Sequence, residues 1–336
     1  MELVDIFCGG GLFSYAARAA GMKVIFGVDN ESSALLIFKA NFPEAKAVCA
    51  TVGPGSDDEV TTPGPAPNRH IHLSPPCTQI SSANTACRDK QYGISALKWA
   101  IETAMSGYES WSIETVVSGS SHSVVNPLKE KHKTDGLFDS TELDSQDFGD
   151  PQSRRRLILG PKWLIDALRA APTTPVVSVR EAYKRAKMPI PSGATHTKNA
   201  STSKDGSNVR PLERPSFTVC AARANSFCRS DGQTVKSMSS EQSRVLMGLD
   251  SSFELRGKAV DSQRVLGNGV TFNVARAIAL AAQKRAITFP QPLPGMYGRG
   301  GGSGSSSTSG DEDEDDTLEA CLLDMERVTK RMRRFL

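Results

Sequence analysis

Pro75-Pro76-Cys77 sets a reactive group in a fixed frame. Two consecutive prolines cannot continue a strand's hydrogen-bond ladder, so they make a stiff turn that displays the cysteine. Ile71 and Leu73 before them read as a short strand, and open α/β sheets keep their ligands at strand carboxyl ends. Cys77 is a candidate nucleophile on that placement, although an isolated cysteine is more often a buried apolar residue. Glu114 closes a second strand, where a carboxylate needs a partner or a proton. In Gln152-Ser153-Arg154-Arg155-Arg156 the period of two puts Arg154 and Arg156 on one side of an extended segment, which suits two guanidiniums facing one anion or carbonyl. Gly9 and Gly11 follow the apolar run 3–7, and Asp29 ends the next one. That pattern suits a nucleoside-containing ligand whose ribose hydroxyls meet the carboxylate, with Ser14 where a dinucleotide site would want a third glycine.

The elements that must hold these groups are legible in outline. Residues 3–7, 15–20 and 23–28 read as strand, helix and strand, and a further helix runs from Glu31 to Asn41. Continuous rather than alternating apolar strands imply burial on both faces, hence a parallel sheet covered by helices. The glycines and prolines of 51–68 mark a loop. Strands are expected at 112–117 and 156–160, and helices at 97–105, 163–170 and 273–286. From Thr173 to Arg214 apolar content falls, and the stretch reads as a small irregular domain or a long loop. Glycine and serine from Gly295 onward, then six acids at 311–316, read as a linker by composition. After it, Leu318, Cys321, Leu322, Met325, Val328 and Met332 recur at helical spacing before a basic end. That is the pattern of a partner-binding helix or a basic localisation signal.

Composition narrows the class without choosing the function. The 336 residues hold 38% apolar and 6% aromatic side chains, with no apolar run near the 18 or so that cross a bilayer. No basic leader opens the chain, so neither a membrane span nor a secretory signal is expected. Seven cysteines at irregular spacing, with no C-x-x-C, argue against a disulfide framework or a zinc knuckle and for an intracellular protein. The net charge is +3; without residues 311–316, 40 basic residues face 31 acidic ones, a balance that suits a polyanion without demanding one.

Taken together and in order, these segments resemble the cytosine C5 methyltransferases of DNA. The resemblance rests on residues 5–11 (Asp5-Ile6-Phe7-Cys8-Gly9-Gly10-Gly11), Val28-Asp29, Pro75-Pro76-Cys77, Glu114-Thr115-Val116 and Gln152 to Arg156. It continues through Arg214-Pro215-Ser216-Phe217-Thr218 and Gly267-Asn268-Gly269-Val270, and runs from Leu3 to about Ala282. It implies a Rossmann-like class I S-adenosylmethionine-dependent methyltransferase, a mostly parallel α/β sheet with helices on both faces and a small inserted target-recognition region. Residues 1–172 would be the catalytic domain, 173–236 the recognition region, 237–290 a return to the catalytic domain, and 291–336 a linker, acidic run and short helix.

The resemblance further implies that Cys77 adds to C6 of a flipped-out cytosine, that Glu114 bonds N3 and the exocyclic amine, and that Arg154 and Arg156 bind O2 and position the catalytic loop. S-adenosylmethionine would be held by Phe7, Gly9, Gly11, Asp29, Asn30, Asn268 and Val270. Double-stranded DNA would be touched by Ser81, Ser82, Arg88, Lys90 and Gln152, with Asn84 in the same loop, and the compartment would be a nucleus or a cytoplasm. Four positions depart from the family's pattern. Leu12 replaces a glycine and is expected to narrow the cofactor loop. No acid stands near Cys49-Ala50-Thr51, with Asp57 and Asp58 as substitutes. Thr115 stands where asparagine is usual, and Thr78 where glutamine is usual. A silent DNA-binding homologue and an RNA cytosine methyltransferase remain alternatives. The recognition segment, with Lys184, Arg185, Lys187, Lys198, Lys204 and Arg210, is expected to read only a short or relaxed sequence.

Overall fold

A computed structural model describes residues 1–81, 89–199 and 208–288. Its first half is a repeated strand–helix unit: β1 (Glu2–Ile6), α1 (Leu12–Ala19), β2 (Lys23–Asp29), α2 (Ser32–Asn41), β3 (Lys46–Cys49), β4 (Arg69–Leu73), α3 (Gln91–Met105) and β5 (Ser110–Val116). Then come α4 (Gly119–Lys131), β6 (Asp139–Asp144), β7 (Arg155–Gly160), α5 (Lys162–Arg169) and α6 (Val179–Arg185). Four short strands follow, β8 (His196–Lys198), β9 (Val209–Pro211), β10 (Ser226–Cys228) and β11 (Thr234–Ser237). The described chain closes with α7 (Ser240–Leu246), α8 (Ala259–Asn268) and α9 (Phe272–Thr288).

Seven strands form one sheet in the order β3-β2-β1-β4-β5-β7-β6. β3 through β5 are parallel, and β7 is antiparallel to both of its neighbours. Burial on both faces is the reason. β5 is buried at every position, and alternate residues serve two cores: Val4, Ile71, Leu73, Ile113 and Leu157 pack on one face, Leu3, Val24 and Ile158 on the other. α3 supplies Leu97 and Ile101 to the first core. Phe13 of α1, Phe38 of α2, Leu164 of α5 and Ile278 of α9 fill the second. Gly27 has no side chain because the Phe38 ring occupies the space a Cβ would need.

The expected elements are present with ends that shift by a few residues, most at α3, which starts at Gln91 because its polar first turn carries no apolar period. β6 gave no sequence signal. Its residues are mostly polar, and pairing with β7 along six positions defines it as the sheet's edge. The described residues of 173–237 hold more regular structure than their composition implies. α6 is capped by Ser178, and β8 to β11 form an antiparallel sheet in the order β11-β10-β8-β9. Tyr183 of α6, Leu212 after β9 and Phe227 of β10 are fully buried, so a few large apolar residues suffice for so short a sheet.

Candidate functional site

Five strand ends open into one cavity of about 370 Å³, within the range of small-ligand sites. From β1 come Phe7, Cys8, Gly9 and Gly10; from β2 Asp29, Asn30 and Glu31; and from the segment after β3 Ala50 and Val52. β4 gives Ser74, Pro75, Pro76, Cys77 and Thr78, and β5 gives Glu114. The end of α8 and the turn after it close the far wall with Arg264, Val265, Asn268, Gly269 and Val270. This is the crevice at the carboxyl ends of strands that an open α/β sheet provides.

The first turn is built for close approach. Phe7 takes a left-handed conformation, φ 59°, which is strained for a side chain this large. Gly9 is also left-handed, and a Cβ placed there would meet nothing within 4 Å, so the turn faces open space. Asp29 fixes the turn: Oδ2 accepts from Gly9 N at 2.8 Å and Oδ1 from Glu31 N at 2.9 Å. Burial raises the Asp29 pKa against those two hydrogen bonds. Beneath it, burial pushes Asp5 up to about 7 while the Ser14 hydroxyl donates to its Oδ2 at 2.6 Å. Arg264, paired with Glu31 at 2.7 Å, borders the same end.

Cys77 is half-buried and lines the cavity. Burial raises its thiol pKa, the Glu114 carboxylate raises it further, and Arg156 and Arg154 work the other way. Arg156 Nε lies 2.6 Å from Glu114 Oε1, an ion pair without an aligned hydrogen bond at that oxygen. Glu114 is 3% exposed and still lines the cavity with Cys77, while Arg156 pairs with it from behind and is not itself a lining residue.

Several sequence expectations need correction. Gly11 does not line the cavity. With φ 84° and a Cβ position 2.6 Å from Phe42, it is a packing glycine at the start of α1. Arg154 does not reach the cavity either. Its guanidinium donates to the carbonyls of Val219, Gly267 and Gly269 at 2.9–3.0 Å, so it ties the chain after β9 to the turn after α8. The period of two separated the arginines from Arg155 but could not show that one points into carbonyls. Gln152 is wholly buried, with Nε2 on Leu246 O and Oε1 on Val219 N, so it has no surface to offer nucleic acid. Asp58 accepts from Thr51 N at 2.7 Å and, like Asp57, does not line the cavity. Ala50 and Val52 take that wall, making an apolar side. Leu12 lines the cavity and fills the space that a Cβ on Gly269 would need.

Thr115 is buried with no hydrogen-bond partner for Oγ1 among the described residues. Ser81 and exposed Lys90 flank the cavity's Cys77 loop in sequence, whereas Ser82, Asn84, Arg88, Lys204 and residues 291–336 lie outside the described residues. Asp5, Cys8, Ser74, Tyr92 and Arg264 were not singled out as site residues. Only Asp5 and Cys8 had a signal, their place in the first motif.

Known proteins share both sequence and fold with this chain. Residues 1–105 match the model of the C-5 cytosine-specific DNA methylase family. The Type II methyltransferase M.AgeI of Thalassovita gelatinovora is 26% identical over 168 residues, 47% of this chain and 39% of that protein. M.XorII of Xanthomonas oryzae pv. oryzae is 25% identical over 165 residues, 46% and 39% of the two chains. The chain thus spans about two fifths of the length of these curated relatives. The crystal structure of S. pombe Dnmt2 methyltransferase superposes with a TM-score of 0.54 at 14% identity, covering 86% of this chain and all of the other, a likeness of fold.

Proposed function

We propose that this chain, whose residues 1–105 match the C-5 cytosine-specific DNA methylase family, moves a methyl group from S-adenosylmethionine to C5 of cytosine in DNA. The observation that carries the reading is the shared cavity: Cys77 and Glu114 open into the same space as Gly9 and Asp29. The residues fit the cofactor. Gly9 leaves room at the turn, Asp29 can take ribose hydroxyls on its remaining lone pairs, and Phe7, Ala50 and Val52 offer an apolar wall to an adenine. Asn268 and Val270 close the pocket from the far end of the chain. When bound, the cofactor supplies an electrophilic methyl on a sulfonium.

The rest is the work of this chain. Cytosine C5 is unreactive until a nucleophile adds at C6, and C6 is hidden in the base stack, so the base must be flipped out. Cys77 as thiolate forms the S–C6 bond, and the C5–C6 π pair becomes the nucleophile at C5. Glu114 holds N3 and the exocyclic amine, and Arg156, already 2.6 Å from Glu114, meets O2. After methylation C5 loses its proton, those electrons restore the double bond, and the S–C6 bond breaks to return Cys77.

The four-stranded sheet of 196–237, with exposed Lys184 and Arg185 on the adjoining α6 and Lys187 just after it, supports the reading of 173–236 as the target-recognition region. So small a surface reads a short or relaxed sequence. Methylation confined to a site of six or more base pairs by this chain alone would refute that part. The reaction is tested by incubating labelled S-adenosylmethionine with duplex DNA or with transfer RNA, using the protein and Cys77→Ser. Label in DNA that disappears in the variant supports the proposal. Label in transfer RNA alone moves the substrate to RNA, and no label in either makes the chain a silent homologue.

A further inference from the structure

Under the cavity floor the sheet carries a polar chain that the reaction above does not use. In β4 alternation sends Ile71 and Leu73 to the α3 face and His70 and His72 to the other. Both histidines are wholly buried, and the Phe13 ring lies flat on His72, 3.4 Å between centroids with 2° between planes. Four ring nitrogens inside a central strand are costly unless each is paired. All four are paired. Ser110 Oγ is 2.8 Å from His70 Nδ1, and His70 Nε2 is 2.9 Å from Ser112 Oγ. Ser112 Oγ is 2.8 Å from His72 Nδ1, and His72 Nε2 is 2.9 Å from Ser74 Oγ. Ser110 is 6% exposed at the start of β5, and Ser74 lines the cavity, so the ladder runs from one end of the strands to the other.

The chemistry of these groups gives the ladder a single direction. A neutral imidazole donates at one nitrogen and accepts at the other. Burial holds both rings neutral, lowering the His70 pKa to about 3 and that of His72 well below its ordinary value. Ser112, held between the two rings, donates to one and accepts from the other. The ladder therefore has two states. In one, Ser74 gives its hydrogen to His72 and turns lone pairs to the cavity. In the other, His72 donates to Ser74, whose hydrogen is free to enter the cavity.

We propose that Ser74-His72-Ser112-His70-Ser110 is a proton relay that ends in the cavity at Ser74 and carries away the proton shed at cytosine C5. This rests on the cytosine C5 methylation reading. A proton accepted by Ser74 Oγ is matched by a one-place shift. Ser74 passes its hydrogen to His72 Nε2, and His72 passes its Nδ1 hydrogen to Ser112. Ser112 passes its own to His70 Nε2, and His70 passes its Nδ1 hydrogen to Ser110, which releases one at the amino end of β5. Both rings end neutral in the other tautomer, no heavy atom moves, and no electron is gained or lost. Ser74 is suited to this end of the path because its N–H donates to Ile6 O at 3.2 Å, between the turn at Phe7 and the Pro75-Pro76-Cys77 loop.

Two measurements test it. In protein carrying 15N-histidine, with His70 and His72 assigned through His70→Gln and His72→Gln, both rings are expected to be neutral at pH 6 and to show the same tautomer. Opposite tautomers in the unaltered protein would overturn the relay whether or not the protein is active. Release of tritium from duplex DNA labelled at cytosine C5 should then fall at least tenfold in Ser112→Ala, with the solvent deuterium effect on release reduced. The melting temperature should fall, because two buried ring nitrogens lose their partner, while alkylation of Cys77 in the folded protein should stay unchanged. Equal release and an equal solvent effect in a folded Ser112→Ala protein would overturn the proposal, and Ser110→Ala serves as the second variant should Ser112→Ala not fold. No release from the unaltered protein would refute the reaction itself, and the tautomers would still decide the ladder.

Discussion

The rim of the seven-stranded sheet and the small sheet of 196–237 use charge in opposite ways. At the rim, Asp5 and Glu114 are at most 3% exposed, and Asp5 is held near 7 by burial. Burying such groups is costly, so their presence marks chemistry rather than stability. Around the small sheet the pairs stand in water: Arg180 with Glu213 at 2.8 Å, both more than half exposed, and Arg185 with Glu181. Exposed pairs of this kind contribute roughly 0–1 kcal/mol. The first region holds its charges out of water, whereas the second leaves them exposed.

Cys77→Ser should separate the two regions most sharply, removing methyl transfer altogether while leaving the melting temperature in place, because Cys77 is half-buried at a turn. A labelled-methyl assay beside a thermal melt checks both. Glu114→Gln keeps the shape and removes the charge facing Arg156, and the rate constant should fall roughly 10²- to 10³-fold. Single-turnover kinetics read that loss. Gly267→Ala puts a methyl group against the backbone of Cys220 and Ala221, where nothing can swing aside, and should cost roughly 1–3 kcal/mol or more. Thermal or urea unfolding measures it, and cofactor affinity should drop with it because Gly267 O is one anchor of Arg154. Lys184→Ala on α6 should weaken DNA binding only a few-fold and lower the salt slope by about 1, as a lone phosphate contact does. Binding titrations at several salt concentrations decide whether the small sheet's side meets DNA.

Acidity offers a finer separation. Burial raises both Asp5 and Asp150 to about 7, far above a free aspartate. Between about pH 4 and pH 7 the folded protein holds protons there that the unfolded chain has released, so these groups favour the fold at low pH and lose that advantage as pH rises through 7. Asp150 accepts from Asn273 N at the start of α9, and Asp150→Asn keeps an acceptor there. Its melting temperature should decline less between pH 5 and pH 8 than that of the unaltered protein, a difference that a series of melts would show.

Much of the rim was legible because its chemistry is local. A glycine turn, a strand-end acid and a proline-stiffened cysteine each announce themselves within a few residues, and their covalent neighbours largely set their conformation. The parallel sheet followed from unbroken apolar runs, since strands buried on two faces leave no polar alternation. The edge strand β6 and the small sheet were not legible. Their residues are polar or few, and long-range pairing alone makes them strands.

Which buried polar groups face the cavity was settled by tertiary structure. Arg154 and Arg156 are indistinguishable by spacing, yet one is enclosed by three carbonyls and the other meets Glu114. His70 and His72 were invisible as a pair with Ser110 and Ser112, because a partner forty residues away is reached only when two strands lie side by side. Sequence fixes which groups the chain carries and how each strand turns them. Only packing decides what each one meets, because a hydrogen bond or an ion pair depends on a few ångströms of separation and not on position along the chain.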